Sequence, residues 1–210
     1  MEFKYKSTKT FHQAFPVAYR QWRADSHCNV VHGYALSIHL EFGAFDLDAR
    51  NWVVDFGSLK PLKAQLEDWF DHTMLVAEDD PHREALLALH KLGVAKVTEV
   101  ERTGCEGLAD FVFEHLNDRD AGWLKLYGYG GRVICTKVEV RETDANMAMR
   151  TLTVSDWVRF TMPTEQKHVH QGAVAAGSTK PVGTIEDFEV VCDKNGLTAD
   201  ERLAQQAERA

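Results

Sequence analysis

The order of amino acids points to an α+β domain in which helices cover one face of an antiparallel sheet. Three features carry this. Near one end Leu36, Ile38, Leu40 and Phe42 alternate with Ser37, His39 and Glu41, and near the other Ile134, Thr136, Val138 and Val140 repeat the same period of two. Between these two segments Leu59, Leu62, Leu66, Trp69 and Phe70 recur at helical spacing. The resulting order, strands first, then helices, then a strand, gathers the helices on one side of a sheet.

Taken along the chain, residues 1–9 are charged and β-like, and the odd row Phe11, Phe15, Val17 gives a first strand, bent or ended near Pro16. Residues 32–42 form a second, half-buried strand. Trp52 to Phe56 is a short apolar run closed by Gly57 and Ser58, after which the first helix opens. A second helix is expected to open at Asp80-Pro81, with an acidic cap and a proline in its first turn, and to stop near Gly93. A third spans about residues 105–116. Gly128, Gly130 and Gly131 then connect to the strand around 134–140, and residues 157–162 read as one more strand. Residues 163–183 contain no aromatic side chain and are rich in Gly, Ala, Lys and Gln. This divides the chain into a domain at 1–160 and a mobile arm at 161–210, which ends in a short helix where Thr198 and Glu201 have capping-box spacing. There is no internal repeat.

With 210 residues, 44% of them apolar, the chain can bury a sizeable core. Its 24 basic and 32 acidic residues give a formal charge of −8, with the basic ones scattered, which argues against a general nucleic-acid or membrane-surface binder. Cys28, Cys105, Cys135 and Cys192 lack metal-like or redox-like spacing. No leader-like segment and no run of the roughly 18 to 20 apolar residues needed to span a bilayer is found, so a cytoplasmic location is expected.

Chemistry-bearing residues sit where apolar rows end. His32 and Tyr34 share the parity of the row from Leu36 to Phe42, and Tyr19 continues the row Phe11, Phe15, Val17. Such residues are either edge-of-core groups with satisfied hydrogen bonds or the lining of a site. Cys28 lies four residues before His32. Asp71-His72 follows the first helix, and a carboxylate beside an imidazole can orient it for proton transfer. Glu142 extends the row that ends at Val140, placing a carboxylate where a buried face would otherwise continue; the alternative is a strand emerging into water. Arg20 and Arg23, flanking Trp22, could receive phosphate or form surface ion pairs.

These pieces, in their order, resemble the 6-pyruvoyl-tetrahydropterin and 6-carboxy-tetrahydropterin synthase family, most of all the carboxy-forming enzymes of the queuosine and 7-deazaguanine route. They are Phe15-Pro16-Val17-Ala18-Tyr19-Arg20, Cys28-x-x-x-His32-Gly33-Tyr34, Trp52 through Lys60, Asp71-His72, Cys105-Glu106-Gly107-Leu108-Ala109 and Val140-Arg141-Glu142-Thr143, covering about residues 10–146. The resemblance implies the tunnelling fold, whose subunits join edge to edge into a barrel, usually as hexamers with active sites between subunits. It implies 7,8-dihydroneopterin triphosphate as substrate, converted to 6-carboxy-tetrahydropterin with release of acetaldehyde and triphosphate; the pyruvoyl-forming reaction and a non-catalytic pterin-binding role are the alternatives. Cys28 would be the thiolate base, His72 its proton-transfer partner oriented by Asp71, and Glu142 the anchor of the pterin's aminopyrimidine edge, with Glu106 near the same pocket. The segment 76–103 is longer than in compact members and is expected to reshape the site rim.

The resemblance also implies zinc held by three histidines, at the positions of Tyr19, His32 and Tyr34. Only His32 is an imidazole here. A phenol, with a reference pKa of about 10, is a reluctant zinc ligand. Three chemistries follow: zinc on His32 with a tyrosinate and a recruited neighbour such as His27, tyrosine hydroxyls bonded to substrate oxygens without metal, or loss of catalysis. Retention of Cys28, Asp71, His72 and Glu142 together favours activity.

Overall fold

A computed structural model describes residues 2–162. Six strands form one sheet in the order β4-β3-β1-β2-β5-β6: β1 Tyr5–Tyr19, β2 His32–Ala44, β3 Thr73–Ala77, β4 Lys96–Val100, β5 Val133–Arg141 and β6 Met147–Thr151. The helices are α1 Lys60–Phe70, α2 Arg83–Lys91, α3 Cys105–Asn117, α4 Trp123–Leu126 and α5 Val154–Thr161. The call of a mobile arm at 161–210, with a helix near Thr198, lies outside the described residues apart from its first two positions.

β1 and β2 are the spine of the sheet. Their antiparallel register pairs Phe11 with Ile38, Phe15 with Leu36, Val17 with Tyr34 and Tyr19 with His32. Between Phe11 and Phe15 β1 carries two more residues than β2, with Gln13 at φ 44° and its N–H donating to Ser37 Oγ at 2.8 Å. Two residues are one full side-chain period, so the irregularity bends the strand without turning its apolar row over. Phe11, Phe15, Val17 and Tyr19 therefore share one buried face with Ile38, Leu36, Tyr34 and His32. Leu62, Leu66 and Phe70 of α1 and Leu108, Val112, Phe113 and Leu116 of α3 are likewise fully buried in this core.

Two expectations change. The sheet is mixed rather than wholly antiparallel, because β3 pairs in parallel with both β1 and β4. Each parallel step has its crossover helix, α1 before β3 and α2 before β4, as such connections require. Residues 157–162 belong to a helix, not a strand. Thr153 and Asp156 form a capping box that starts α5, and Phe160 packs on Phe113 with ring centroids 6.0 Å apart. Smaller shifts concern α2 and β5. Asp80-Pro81 makes a turn just before α2, with Asp80 accepting from His82 N–H, so the helix starts at Arg83. In β5, two residues oppose one of β2 near Thr136, so Cys135 and Val133 replace Thr136 and Ile134 opposite Phe42 and Ala44. Thr136 instead donates to the Glu41 carboxylate at 2.7 Å on the other face.

α5 is tied down electrostatically. Asp156, 6% exposed, takes two hydrogen bonds from Arg150 at 2.8 and 2.9 Å and one from Thr153 N–H at 2.9 Å, while Arg150 also reaches Asp110 of α3 at 2.8 Å. These donors, Arg150 first, hold the Asp156 carboxyl well below the usual carboxylate range. A carboxyl depressed in the folded state stabilises above its unfolded pKa of about 4 and loses that contribution as pH falls through the folded value. Asp156→Ala should cost about 2 to 3 kcal/mol in urea unfolding near neutral pH. The gap to the native protein should stay level from about pH 8 to 5 and narrow only below about pH 4; narrowing already at pH 6 would assign the effect to another group.

Candidate active site

The open end of the β1–β2 pair gathers three rings. Tyr19 and His32 face each other across the ladder with centroids 5.8 Å apart, Tyr34 lies 5.7 Å from Tyr19, and His32 and Tyr34 meet edge to face at 5.1 Å. Strand parity alone brings them together. Tyr19 is fully buried and His32 and Tyr34 half-buried, so the cluster is closed beneath and open above.

Glu142, just past the end of β5, enters the same cluster. Its Oε1 accepts a short hydrogen bond from the Tyr19 hydroxyl. Burial, then this bond, then the Glu142 charge raise the Tyr19 phenol far above its ordinary pKa, so it stays protonated. Tyr34 is raised too, by burial first and then by the charge of Glu142 and the nearby thiols of Cys28 and Cys105.

His32 has an assigned tautomer. Its Nδ1 lies 2.7 Å from the Val30 carbonyl, which can only accept, so Nδ1 carries the proton. In the neutral ring Nε2 is left as the acceptor, and this atom is buried without a hydrogen-bond partner among the described residues.

The loop joining β1 to β2 supplies Cys28. A short 3-10 turn at His27–Asn29 is capped by Ser26, whose hydroxyl accepts from Cys28 N–H at 3.3 Å. Gln21 N–H bonds to the Cys28 carbonyl at 2.9 Å, and the Asn29 side chain donates to the Trp22 and Ala24 carbonyls, each at 3.2 Å. The thiol is half-buried beside Tyr34, with Val30 and Val31 exposed next to it.

Among the described residues no hydrogen bond joins Asp71-His72 to this group. The pair closes α1, with His72 at φ 52° and its Nδ1 2.8 Å from Asp71 Oδ1. The His72 side chain is 83% exposed and, among the described residues, bonds to no group other than Asp71. Glu106 is also exposed, on the first turn of α3. Its neighbour Cys105, for which the sequence suggests no role of its own, is buried near the Glu142 charge. Cys105 shares the inner stripe of α3 with Leu108, Ala109 and Val112, which aims it at the cluster, and burial and then the Glu142 charge push its thiol up to about 12. The helical phase of 105, 108, 109 and 112 is the sequence signal for that burial.

Two basic residues are already engaged. Arg20 Nε lies 3.2 Å from the buried Asp80 carboxylate, and Arg23 pairs with Asp79, which also accepts from Trp22 Nε1 at 2.9 Å. Carboxylates of the 76–103 segment thus neutralise both arginines read as phosphate contacts.

The zinc implied by the family resemblance does not suit this donor set. Among the described residues no three His, Cys, Asp or Glu side chains gather closely enough to hold a metal ion. His32 Nε2 is well prepared as a ligand, but Tyr19 spends its proton on Glu142. No helix among the described residues is long and apolar enough to cross a membrane.

Comparison with known proteins agrees with this architecture. The model of the family described as 6-pyruvoyl tetrahydropterin synthase matches residues 8–151. The chain is 26% identical over 162 residues to the 6-carboxy-5,6,7,8-tetrahydropterin synthase of Aquifex aeolicus, covering 69% of this chain and 96% of that one. In structure it is similar to an uncharacterised Wolinella succinogenes protein, with a TM-score of 0.60 at 20% identity over 71% of this chain and 98% of the other. A Plasmodium vivax 6-pyruvoyltetrahydropterin synthase aligns with a TM-score of 0.48 at 14% identity, over 71% of this chain and all of that one. The chain belongs to the 6-pyruvoyl tetrahydropterin synthase family.

Proposed function

We propose that the protein is a pterin side-chain lyase of the 6-carboxy-tetrahydropterin synthase type, acting on 7,8-dihydroneopterin triphosphate in 7-deazaguanine precursor synthesis. The observation that carries this reading is the convergence of Glu142 with Tyr19, His32 and Tyr34 beside the Cys28 thiol. A half-buried carboxylate beside these rings suits the two adjacent N–H donors of an aminopyrimidine edge, which match its two oxygens. In this reading Cys28, as thiolate, removes a proton from the carbon of the substrate side chain. The electron pair freed there passes into the ring's imine bond, reducing the dihydropterin to a tetrahydropterin as the side-chain hydroxyls become carbonyls and triphosphate leaves the terminal carbon. Water then adds to the carbonyl next to the ring, and cleavage of the bond between the two carbonyl carbons yields the 6-carboxyl group and acetaldehyde.

Proton relay then falls to His72, held by Asp71. Their exposure within one chain, and the apolar Val30 and Val31 facing outward beside Cys28, support a site completed by a second copy. The outer edges of β4 and β6, unpaired among the described residues, offer places for such copies to join.

Incubation with 7,8-dihydroneopterin triphosphate should give 6-carboxy-tetrahydropterin and acetaldehyde, identified by mass; a pyruvoyl product would move the assignment to the sister reaction. Cys28→Ala should lower kcat by about 100-fold or more. Neither Cys28→Ala nor His72→Ala should be active alone, whereas co-refolded mixtures should regain up to about a quarter of native activity, the share of sites with both groups intact. No recovery on mixing would place the relay within one chain or remove His72 from it.

A further inference from the structure

The Tyr19–Glu142 bond and the bare nitrogen of His32 bear on how this site holds its ligand, given the pterin reading above. Tyr19 is fully buried, wedged between His32 and Tyr34, and its hydroxyl can reach Glu142 without moving. A carboxylate presents about four lone-pair sites. One is used by Tyr19, so Oε2 and the second lone pair of Oε1 remain for a ligand. The phenol thus fixes the carboxylate's orientation without consuming its binding capacity. Ligation of zinc by Tyr19 would require its proton to leave, which would remove the donor from Glu142 and set two anionic oxygens side by side. The bond seen here and zinc ligation by Tyr19 exclude each other.

We propose that this site binds its pterin without metal: Tyr19 is the positioning residue of Glu142, and His32 Nε2 accepts a hydrogen bond directly from a hydroxyl of the ligand's side chain. The Nδ1 bond to Val30 supports that role, since it fixes both the ring and the tautomer that leaves Nε2 as acceptor. Tyr34 meets His32 edge to face at 5.1 Å. The chemistry required of the ligand is an aminopyrimidine edge at one end and a hydroxyl at the other.

The test uses the full chain, with 7,8-dihydroneopterin as fluorescent probe and zinc chloride as the metal. Binding should be unchanged by chelator or by added zinc, and the native protein should retain well under one equivalent of zinc after gel filtration. The double variant Tyr19→His with Tyr34→His, which restores three imidazoles, should retain about one equivalent. Glu142→Gln should weaken pterin binding about 100-fold and Tyr19→Phe, which keeps the ring, about 10-fold with an unchanged melting temperature. Adding Tyr19→Phe to Glu142→Gln should weaken binding no further, a coupling that a packing role would not produce. Near-stoichiometric zinc in the native protein, lost in His32→Ala, together with pterin binding would overturn the metal-free site and leave the pterin reading intact. Independent, multiplying losses would overturn the positioning role of Tyr19. Failure to bind pterin with or without zinc would sink the pterin reading, and this inference with it.

Discussion

The register between β1 and β2 is the constraint on which the candidate site rests. Tyr19 stands opposite His32 and Val17 opposite Tyr34 because the strands are aligned by their apolar rows, Phe11 with Ile38 and Phe15 with Leu36. A slip by one residue would turn Tyr19 out to solvent and bury Ala18 and Arg20 in its place, and the core face would lose every apolar side chain at once. The same hydrophobic pattern that stabilises the sheet therefore fixes the ring cluster. The extra residues near Gln13 leave this intact because they come as a pair.

That coupling explains what was legible in the amino-acid order. Parity located Tyr19, His32 and Tyr34 on one face and put Glu142 at the end of a neighbouring row, since each inference needed only the period of a strand. β3 escaped notice for the opposite reason. All five of its residues, Thr73 to Ala77, are buried, so it shows no alternation to read. α5 was misread because Val154, Trp157, Val158 and Phe160 fit either period over so short a run, and the deciding signal was the pair Thr153 and Asp156 at capping distance. Thr136 was placed on the wrong face because a bulge, which no periodicity announces, resets the phase of β5.

Position relative to other parts of the chain was harder to read than position on an element. Asp71-His72 is expected at the end of the first helix and is there, but nothing in the sequence says which other groups an oriented, exposed imidazole would meet. Arg20 and Arg23 looked like cations beside a pocket. Their partners, Asp80 and Asp79, come from a segment 56 or more residues away that folds over them through β3 and β4. What residues 76–103 supply is carboxylates that pair with these two arginines.

Tyr19 and Glu142 are matched to each other electrostatically. Three neutral imidazoles around a dication would leave a nearby carboxylate facing net positive charge, with no hydrogen-bond donor among the ligating nitrogens. A phenol brings its own proton. Placed at Tyr19 it satisfies Glu142 directly, in a buried setting where an unpaired carboxylate would be costly. Each needs the other: without Glu142 the buried Tyr19 hydroxyl would be idle, and without that hydroxyl the half-buried Glu142 would lose its side-chain donor. Among the described residues, His32 Nε2 and the second oxygen of Glu142 have no partner in the cluster, and these acceptors are where a ligand has something to offer.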